Sequence, residues 1–310
     1  MLAFLYLMLL PSELVGINPT PMTAIGTEDQ PDVLYKPSGV LLQEDAIYVL
    51  DNGHDKLFKF DLQGRLLKTL GGHGQGPGEF LSCVNMIAVD DSIWIADRAN
   101  GRISIFRNDH YEKQIKTNLA PRNIAIIGDK VWVSDFCSLD VRDGIETYHF
   151  DGTPAGSFTL SLSRENWAGN NQATWNSAIL CPYNQTKAVM AFTYDTYLGV
   201  FDNTGRTVEE HDMGDIYPRY DYRHKSGDIF PAGYAALAFS EGPAGTFLVA
   251  ACDLETRTCN TLIQLNSSFR GILAKKEMPF SVAGISYSRD LKRIAFVTGD
   301  REIFIHQITK

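Results

Sequence analysis

The stretch that decides the fold runs from Gly71 to Phe106 and reads GGHGQGPGEFLSCVNMIAVDDSIWIADRANGRISIF. A glycine-rich loop leads into three short apolar runs with strand alternation, which are Met86 to Val89, Ile93 to Ala96 and Ile103 to Phe106. Aspartate, asparagine, serine and glycine separate the runs, and these residues favour tight turns. Short antiparallel strands joined in this way are typical of one blade of a β-propeller.

The same pattern recurs along the chain, which indicates a repeat architecture. Clear copies are VLLQEDAIYVLDNGHDKLFKF from Val40 to Phe60 and IAIIGDKVWVSD from Ile124 to Asp135. Three fainter copies read VMAFTYD at 189–195, FLVAACD at 247–253 and IAFVTGD at 294–300. Together with the first stretch they make six, and they predict an all-β, six-bladed propeller of four-stranded antiparallel blades.

The sixth copy supplies only three apolar runs between Ile285 and Ile308. Propellers often complete the last blade with a strand from the opposite terminus, because closing the ring removes open strand edges. We therefore expect a strand within residues 17–36 to form the outer edge of the sixth blade. Residues 17–310 would then form a single propeller domain.

The loop from Gly74 to Phe80, followed by IAVD, IWIAD and NGRISIF, resembles the NHL-repeat group of six-bladed propellers. Within that group the chain is most similar to exported bacterial proteins. The resemblance is specific over residues 37–150 and a matter of pattern beyond them. It implies the fold and a capacity to bind other molecules, since members range from peptide and RNA binders to a few lyases and lactonase-like relatives. It implies no particular chemistry.

The composition is that of an ordinary globular protein, with 310 residues of which 44% are hydrophobic and 21% charged. A formal net charge of −9 disfavours a nucleic-acid partner, because phosphate binding requires a basic surface. A local basic patch remains compatible with that total.

Residues 1–16 begin with an apolar run from Leu2 to Leu10, which is shorter than the roughly 20 residues needed to cross a bilayer. The run matches the core of an export signal that has lost its basic start, and the alternative is an apolar N-terminal strand or anchor. We expect a truncated signal peptide, a periplasmic or extracellular location, no membrane span and a monomer.

The five cysteines contain no C-x-x-C pair and are Cys83, Cys137, Cys181, Cys252 and Cys259. The last two flank the turn-like stretch DLETRT and could face each other across a hairpin. Cys252 and Cys259 can form a disulfide if the protein is exported, whereas both would stay reduced in the cytosol. The other three lie in apolar contexts typical of buried packing residues.

Several recurrent residues have structural explanations. An aspartate closes the second strand of each copy and can accept backbone N–H groups of the following turn, and Asp97 can also pair with Arg102. This set is Asp51, Asp97, Asp135, Asp195, Asp253 and Asp300. Trp94 and Trp132 lie inside apolar strands and should pack between blades. The glycine-rich loop should connect two blades, with Phe80 packed beneath it.

Two polar insertions differ from the blades in composition. SRENWAGNNQATWNSA at 163–178 carries Trp167 and Trp175, and DMGDIYPRYDYRHKSGDIFPAGY at 212–234 is rich in tyrosine and arginine. Both connect one blade's outer strand to the next blade's inner strand, so we expect them to overhang the same end of the central channel. Aromatic faces mixed with amides and cations suit a ligand site, and the alternative is that these side chains pack their own loops.

The starts of the inner strands predict which residues ring the channel mouth. Aligning Pro37-Ser38-Gly39 with Val84-Asn85-Met86 and Pro121-Arg122-Asn123 places the middle residues at the mouth, and Ser177 fits less securely. None of these is acidic, the seven histidines have no matched spacing, and no nucleophile motif is present. We therefore predict no catalytic residue, no metal and no cofactor.

The sequence thus favours a binding module over an enzyme, with a carbohydrate or peptide as the ligand at the channel mouth. Two alternatives stay open: a metal-dependent lactonase or lyase using the same mouth, and a scaffold that docks another protein on its loops. The candidate ligand-binding residues are Asn85, Arg122, Trp167, Trp175, Arg219, Tyr220, Tyr222, Arg223 and His224.

Overall fold

The fold is a six-bladed β-propeller. A computed structural model describes residues 14, 16–27, 33–135, 144–158, 178–193, 196–217, 221–223, 229–231, 236–253 and 258–309. Six four-stranded antiparallel sheets and one two-stranded hairpin account for all the strands of the described chain. Within these ranges, helical structure is limited to the short 3-10 turns Arg98–Asn100 and Pro243–Gly245. No helix in this part of the chain has the length and apolar character to span a membrane.

The strands follow one another from the channel outward in each blade. Blade one contains β2 (Pro37–Leu42), β3 (Ile47–Asp51), β4 (Lys56–Phe60) and β5 (Leu66–Gly71). Blade two contains β6 (Cys83–Val89), β7 (Ser92–Asp97), β8 (Arg102–Arg107) and β9 (His110–Lys116). Blade three contains β10 (Asn123–Ile127), β11 (Lys130–Ser134), β12 (Ile145–His149) and β13 (Pro154–Phe158).

The fainter repeats form complete blades as well. Blade four contains β14 (Ala178–Asn184), β15 (Lys187–Phe192), β16 (Tyr197–Asp202) and β17 (Thr207–Asp212). A small hairpin of β18 (Asp221–Arg223) and β19 (Ile229–Pro231) follows it. Blade five contains β20 (Ala236–Glu241), β21 (Phe247–Asp253), β22 (Thr258–Leu265) and β23 (Ile272–Glu277).

Blade six is closed by the N-terminal strand, as the sequence predicts. Its strands are β24 (Val282–Ser288), β25 (Arg293–Thr298) and β26 (Ile303–Ile308), with β1 (Ile17–Ile25) paired to β26 at the outer edge. Ile25 pairs with Ile303 and is fully buried in the cluster that joins blades six and one. The closing strand therefore contributes to the core as well as covering an edge.

Apolar clusters between neighbouring blades form the core. Trp94 packs in a cluster with residues of blade three that include Ile124, and Trp132 packs with Met190 and Phe192 of blade four. Both tryptophans are buried, which confirms their predicted position between blades. The core is thus divided among the blade interfaces, because each blade buries its faces only against its neighbours.

Buried aspartates fix the ends of the second strands in the first two blades. The Asp51 carboxylate accepts hydrogen bonds from the backbone N–H groups of Tyr35, Gly53 and His54, at 2.6, 2.9 and 3.0 Å. Asp97 accepts the Leu81 N–H at 2.8 Å and also pairs with Arg102. The structural interpretation of these two aspartates is confirmed.

The glycine-rich loop is a blade connector held from within. Phe80 is fully buried, and its backbone N–H donates to the Gly72 carbonyl at 2.7 Å. The Arg102 guanidinium donates to the carbonyls of Gln75, Gly76 and Glu79 at 2.8 to 3.0 Å. These carbonyl groups of the loop are therefore hydrogen-bonded within the protein, as expected for a connector between blades.

The cysteines divide as their contexts suggest. Cys252 and Cys259 form a disulfide across the β21–β22 hairpin. Cys83 and Cys181 are buried free thiols, and Cys137 lies outside the described residues. Burial raises the pKa of both thiols, that of Cys181 to about 12, so that both are protonated at neutral pH.

Candidate functional site

The central channel is a cavity lined by the inner strands of all six blades. It has a volume of about 580 Å³, within the range of small-molecule sites. The inner strand of every blade contributes to its wall, so the first strand of each blade faces the channel. Most wall residues are small or aliphatic, so the few polar ones decide what the channel can bind.

Polar side chains gather where the first three inner strands begin. Lys36, Ser38, Asn85 and Arg122 line the channel at this end, which we call the basic mouth. Ser38 and Asn85 also tie neighbouring blades together. The Ser38 hydroxyl donates to the Cys83 carbonyl at 3.1 Å, and the Asn85 carboxamide oxygen accepts from the backbone N–H of Ile124 at 3.2 Å.

The strand register corrects the sequence alignment of blade two by one residue. Pro37 and Cys83 each lie opposite the last residue of the second strand, and Gly39 and Asn85 each lie opposite the next-to-last residue. Val84 therefore occupies the middle position that the alignment gave to Asn85. Each strand bulges between these pairs, and the extra residue of a bulge cannot be located from apolar alternation alone.

The opposite end of the channel is acidic and aromatic. Glu241 and Tyr287 line it, and the Glu241 carboxylate forms an ion pair with Arg289, which is largely exposed. Burial and the neighbouring Glu241 charge raise the pKa of the Tyr287 hydroxyl, which is therefore neutral at physiological pH. The Glu241 carboxylate raises the pKa of Arg289 in turn.

The channel is therefore electrically asymmetric. Among the described lining residues the charged ones are Lys36 and Arg122 at the basic mouth and Glu241 at the far end. The two cations lie at the same end of the channel although the chain carries a net charge of −9. Low-dielectric walls concentrate the field of such charges, so an anionic group would be attracted to this end.

Only part of the candidate ligand set can be placed. Asn85 and Arg122 line the basic mouth. Tyr222 and Arg223 belong to β18, where they pair with Phe230 and Ile229 of β19. The remaining candidates, together with Ser177, lie outside the described residues: Trp167, Trp175, Arg219, Tyr220 and His224.

Sequence reasoning missed Lys36, Glu241 and Tyr287 as channel residues. Lys36 directly precedes the triplet that begins the first inner strand, so extending the alignment by one residue would have found it. Glu241 and Tyr287 lie near the ends of inner strands in the faint repeats, where the start of the strand could not be fixed from the pattern.

The described residues do not bring metal-binding side chains together. No group of three or more histidine, cysteine, aspartate or glutamate side chains suited to a metal ion occurs in this part of the chain. Cys181 lines the channel, but its raised pKa keeps it as the thiol, which is a weak nucleophile. The chemistry that this site offers is hydrogen bonding and charge at the basic mouth.

Comparison with known proteins agrees with this architecture. A family model described as "6-bladed beta-propeller" matches residues 25–205, more than half of the chain. No curated protein matches the sequence.

Solved structures with the same fold have diverse roles. A streptogramin B lyase is 14% identical with a TM-score of 0.54, over 88% of this chain and 83% of that one. The WD40 repeats of RRP9 are 11% identical with a TM-score of 0.59, over 88% and 94%. The WD40 propeller domain of Doa1 is 9% identical with a TM-score of 0.56, over 89% and 94%. At these identities the likeness concerns the fold alone.

Proposed function

The chain belongs to the 6-bladed β-propeller family, and we propose that within this fold it is a binding module that takes an anionic carbohydrate or an acidic peptide at the basic mouth. One observation carries the proposal: the two cations that line the channel, Lys36 and Arg122, lie at the same end of it. The ligand would place its carboxylate or another anionic group there.

The residue types at the basic mouth suit this ligand. A guanidinium presents a planar set of donors that matches a carboxylate, and a lysine ammonium adds a compact positive charge. Both act more strongly at the wall of a channel than on an open surface, because the surroundings are less polarisable than water. The Asn85 carboxamide NH2 group would supply a further donor at the same end.

Residues of the two insertions would complete the site. Trp167 and Trp175 would stack on a sugar ring or an aromatic side chain of the ligand, and Arg219 and Arg223 would add positive charge. Tyr220, Tyr222 and His224 would contribute hydrogen bonds from the same insertion. This part of the proposal rests on sequence composition and on the place of the insertions between blades.

We also propose that the protein acts outside the cytosol. The apolar run at residues 2–10 supports export, and so does the disulfide between Cys252 and Cys259, because disulfides persist in oxidising compartments.

The proposal is tested with a panel of matched ligands. Oligosaccharides that contain uronic acids and peptides rich in aspartate and glutamate are compared with neutral analogues of the same length, by calorimetry at two salt concentrations. We expect the acidic members to bind more tightly and to weaken as salt rises, because screening reduces the attraction. Tighter binding of the neutral members would contradict an anion site.

A second arm separates binding from metal-dependent catalysis. The thermal midpoint is measured with and without EDTA, since a metal held only by the native state stabilises it by about 2.7 kcal/mol at a hundredfold excess over Kd. We expect no shift. A drop of several degrees that calcium or zinc restores would favour the lactonase or lyase alternative.

A further inference from the structure

An exposed tyrosine lies beside the basic mouth. Tyr35 directly precedes Lys36, whose side chain lines the channel. The exposed fraction of Tyr35 is 55%, the largest of any described phenylalanine, tyrosine or tryptophan. Aromatic rings dominate the contacts of many binding sites because each one offers a large, rigid apolar surface. Tyr35 is therefore examined as a possible extension of the basic mouth.

Neighbouring groups hold Tyr35 in a fixed position. Its backbone N–H donates to the Asp51 carboxylate at 2.6 Å. Residue 53 has to be glycine, because a Cβ atom there would lie 2.2 Å from Tyr35 Cδ1. The His54 ring is tilted by 56° against the tyrosine ring, with the centroids 5.7 Å apart. A ligand that contacts a ring already in position loses less free energy to ordering it.

An arginine from the neighbouring blade lies over the tyrosine ring. The Arg301 guanidinium is 5.0 Å from the Tyr35 ring centroid, a cation–π contact between blades six and one. The Arg301 backbone is constrained as well, with a φ of 74° that few residues other than glycine adopt. Gly26 packs so closely on its carbonyl that a Cβ atom there would lie 2.7 Å from the oxygen. We call Tyr35 and Arg301 the tyrosine platform.

The cations at this place are available to a ligand. Among the described residues, neither the Arg301 guanidinium nor the Lys36 ammonium has a hydrogen-bond or ion-pair partner. Asp300 and Glu302 flank Arg301 in the chain, and neither forms an ion pair with it in this part of the structure. The donors of both cations therefore remain free for an anionic group.

The tyrosine platform lies on the face of the propeller where the basic mouth opens. The first strand of each blade begins at this face, and the second strand runs antiparallel and ends there. Tyr35 comes just before the first strand of blade one, and Arg301 follows the second strand of blade six. Consecutive Cα atoms are about 3.8 Å apart, so Tyr35 is an immediate neighbour of Lys36 in the basic mouth.

This combination of groups favours a sugar chain over an acidic peptide. A sugar ring has an apolar face of C–H groups that packs against an aromatic ring, and a uronic acid carries a carboxylate on the same ring. The exposed surface of Tyr35 and the guanidinium of Arg301 match these two features. An aspartate or glutamate side chain provides the carboxylate but no broad apolar face.

We propose that the tyrosine platform is a second subsite of the basic mouth and that the ligand is an oligosaccharide with consecutive uronic acid units. One unit places its carboxylate at Lys36 and Arg122. The next unit packs on Tyr35 and places its carboxylate at Arg301. This inference rests on the proposed function, because it extends the anion site at the basic mouth.

The test compares matched probes with one and two acidic units, followed by ligand-observed NMR on the full chain. The sugar pair is methyl galacturonide and the methyl glycoside of digalacturonic acid. The peptide pair is the blocked amino acid N-acetyl-aspartate amide and the blocked dipeptide with two aspartates. We expect the second sugar unit to tighten binding at least roughly tenfold, as is typical of an added charge-assisted contact, and the second aspartate to add less.

The outcomes separate this inference from the proposed function. Equal affinity for the one-unit and two-unit sugars would overturn the second subsite and leave the basic mouth in place. Binding of neither sugar would contradict the basic mouth as well. An equal gain in the sugar pair and the peptide pair would overturn the choice of an oligosaccharide, because charge alone would then explain the second contact.

Variants assign the gain to the tyrosine platform. Tyr35→Ala should reduce the affinity for the disaccharide to that for the single unit, whereas Tyr35→Phe keeps the ring and should keep the gain. The matched control is Phe150→Ala, which removes an exposed ring in the β12–β13 turn on the opposite face. A gain that survives in Tyr35→Ala would overturn the assignment. If that variant does not fold, Arg301→Gln decides, since it should lose the gain as well.

Discussion

Individual buried ion pairs connect strand ends to loops in this propeller. Asp97 Oδ2 lies 2.7 Å from Arg102 Nε, and both side chains are almost fully buried. The same guanidinium holds three carbonyls of the glycine-rich loop and donates to Gln114 at 2.8 Å. The aspartate thus orients the arginine that organises the connector between blades one and two.

Replacing Asp97 by alanine should destabilise the protein strongly. The change leaves the buried Arg102 charge without its carboxylate, which typically costs about 3 to 5 kcal/mol. The free energy of unfolding from urea denaturation measures this loss. The matched control is Asp91→Ala, which removes an exposed partner of Arg107 and should have a much smaller effect. Similar losses in both variants would contradict the role given to the buried pair.

A second polar cluster makes part of the stability depend on pH. Burial opposes the charge of Asp109, but hydrogen bonds from Lys59 at 3.1 Å and Tyr48 at 3.0 Å outweigh it, and the pKa of Asp109 is lowered. A lowered pKa stabilises the fold above the unfolded value of about 3.9, and this contribution disappears as the pH falls through the folded value.

The Asp109→Asn variant should therefore lose less stability in acid than the parent protein. Urea denaturation at pH values from about 6 down to 2 gives the free energy of unfolding for each. We expect the two curves to be furthest apart at pH 6 and to converge as the pH falls below about 4 and through the lower pKa of the folded carboxylate. A constant difference across the series would rule out this linkage.

Whole strands follow the sequence pattern where the repeats are clear. Alternation predicted the first three strands of blades one and two and the first two of blade three, and the missing outer strand of the sixth repeat predicted the closing strand. Local irregularity was harder to predict. One example is the bulge in β6, which moves Val84 into the position expected of Asn85, and another is the pair of register shifts around Pro21 in β1. Both depend on backbone pairing between strands, which the side chains of one strand do not specify.

The closing strand should contribute measurably to stability. Ile25 is fully buried between blades six and one, so Ile25→Ala should cost about 2 to 5 kcal/mol through lost burial and a residual cavity. Met22 lies on the same strand and is 46% exposed, and Met22→Ala should cost much less. Chemical denaturation of the two variants compares them. Equal stability of Ile25→Ala and the parent would contradict closure of the ring by β1.

At the scale of the molecule, the architecture was predictable and the lining of the central channel only in part. Recurrence of one strand pattern is enough to indicate a propeller, because each blade needs the next to bury its faces. Arg122 and Asn85 were found as channel residues by aligning strand starts, but Lys36 and the acidic far end were not. The sequence of one repeat does not show which charged side chains lie at the same end of the channel once six blades form a ring.

The central claim, that the basic mouth binds an anionic ligand, is tested most directly by one comparison of affinities. Calorimetry measures the best acidic ligand of the panel with the parent protein, Arg122→Gln and Arg206→Gln. Arg206 lies in an exposed hairpin turn of blade four and serves as the matched loss of one positive charge. We predict at least roughly tenfold weaker binding for Arg122→Gln, since charge-assisted hydrogen bonds are typically worth about 1.5 to 3 kcal/mol, and parent affinity for Arg206→Gln. Parent affinity in Arg122→Gln would contradict the claim.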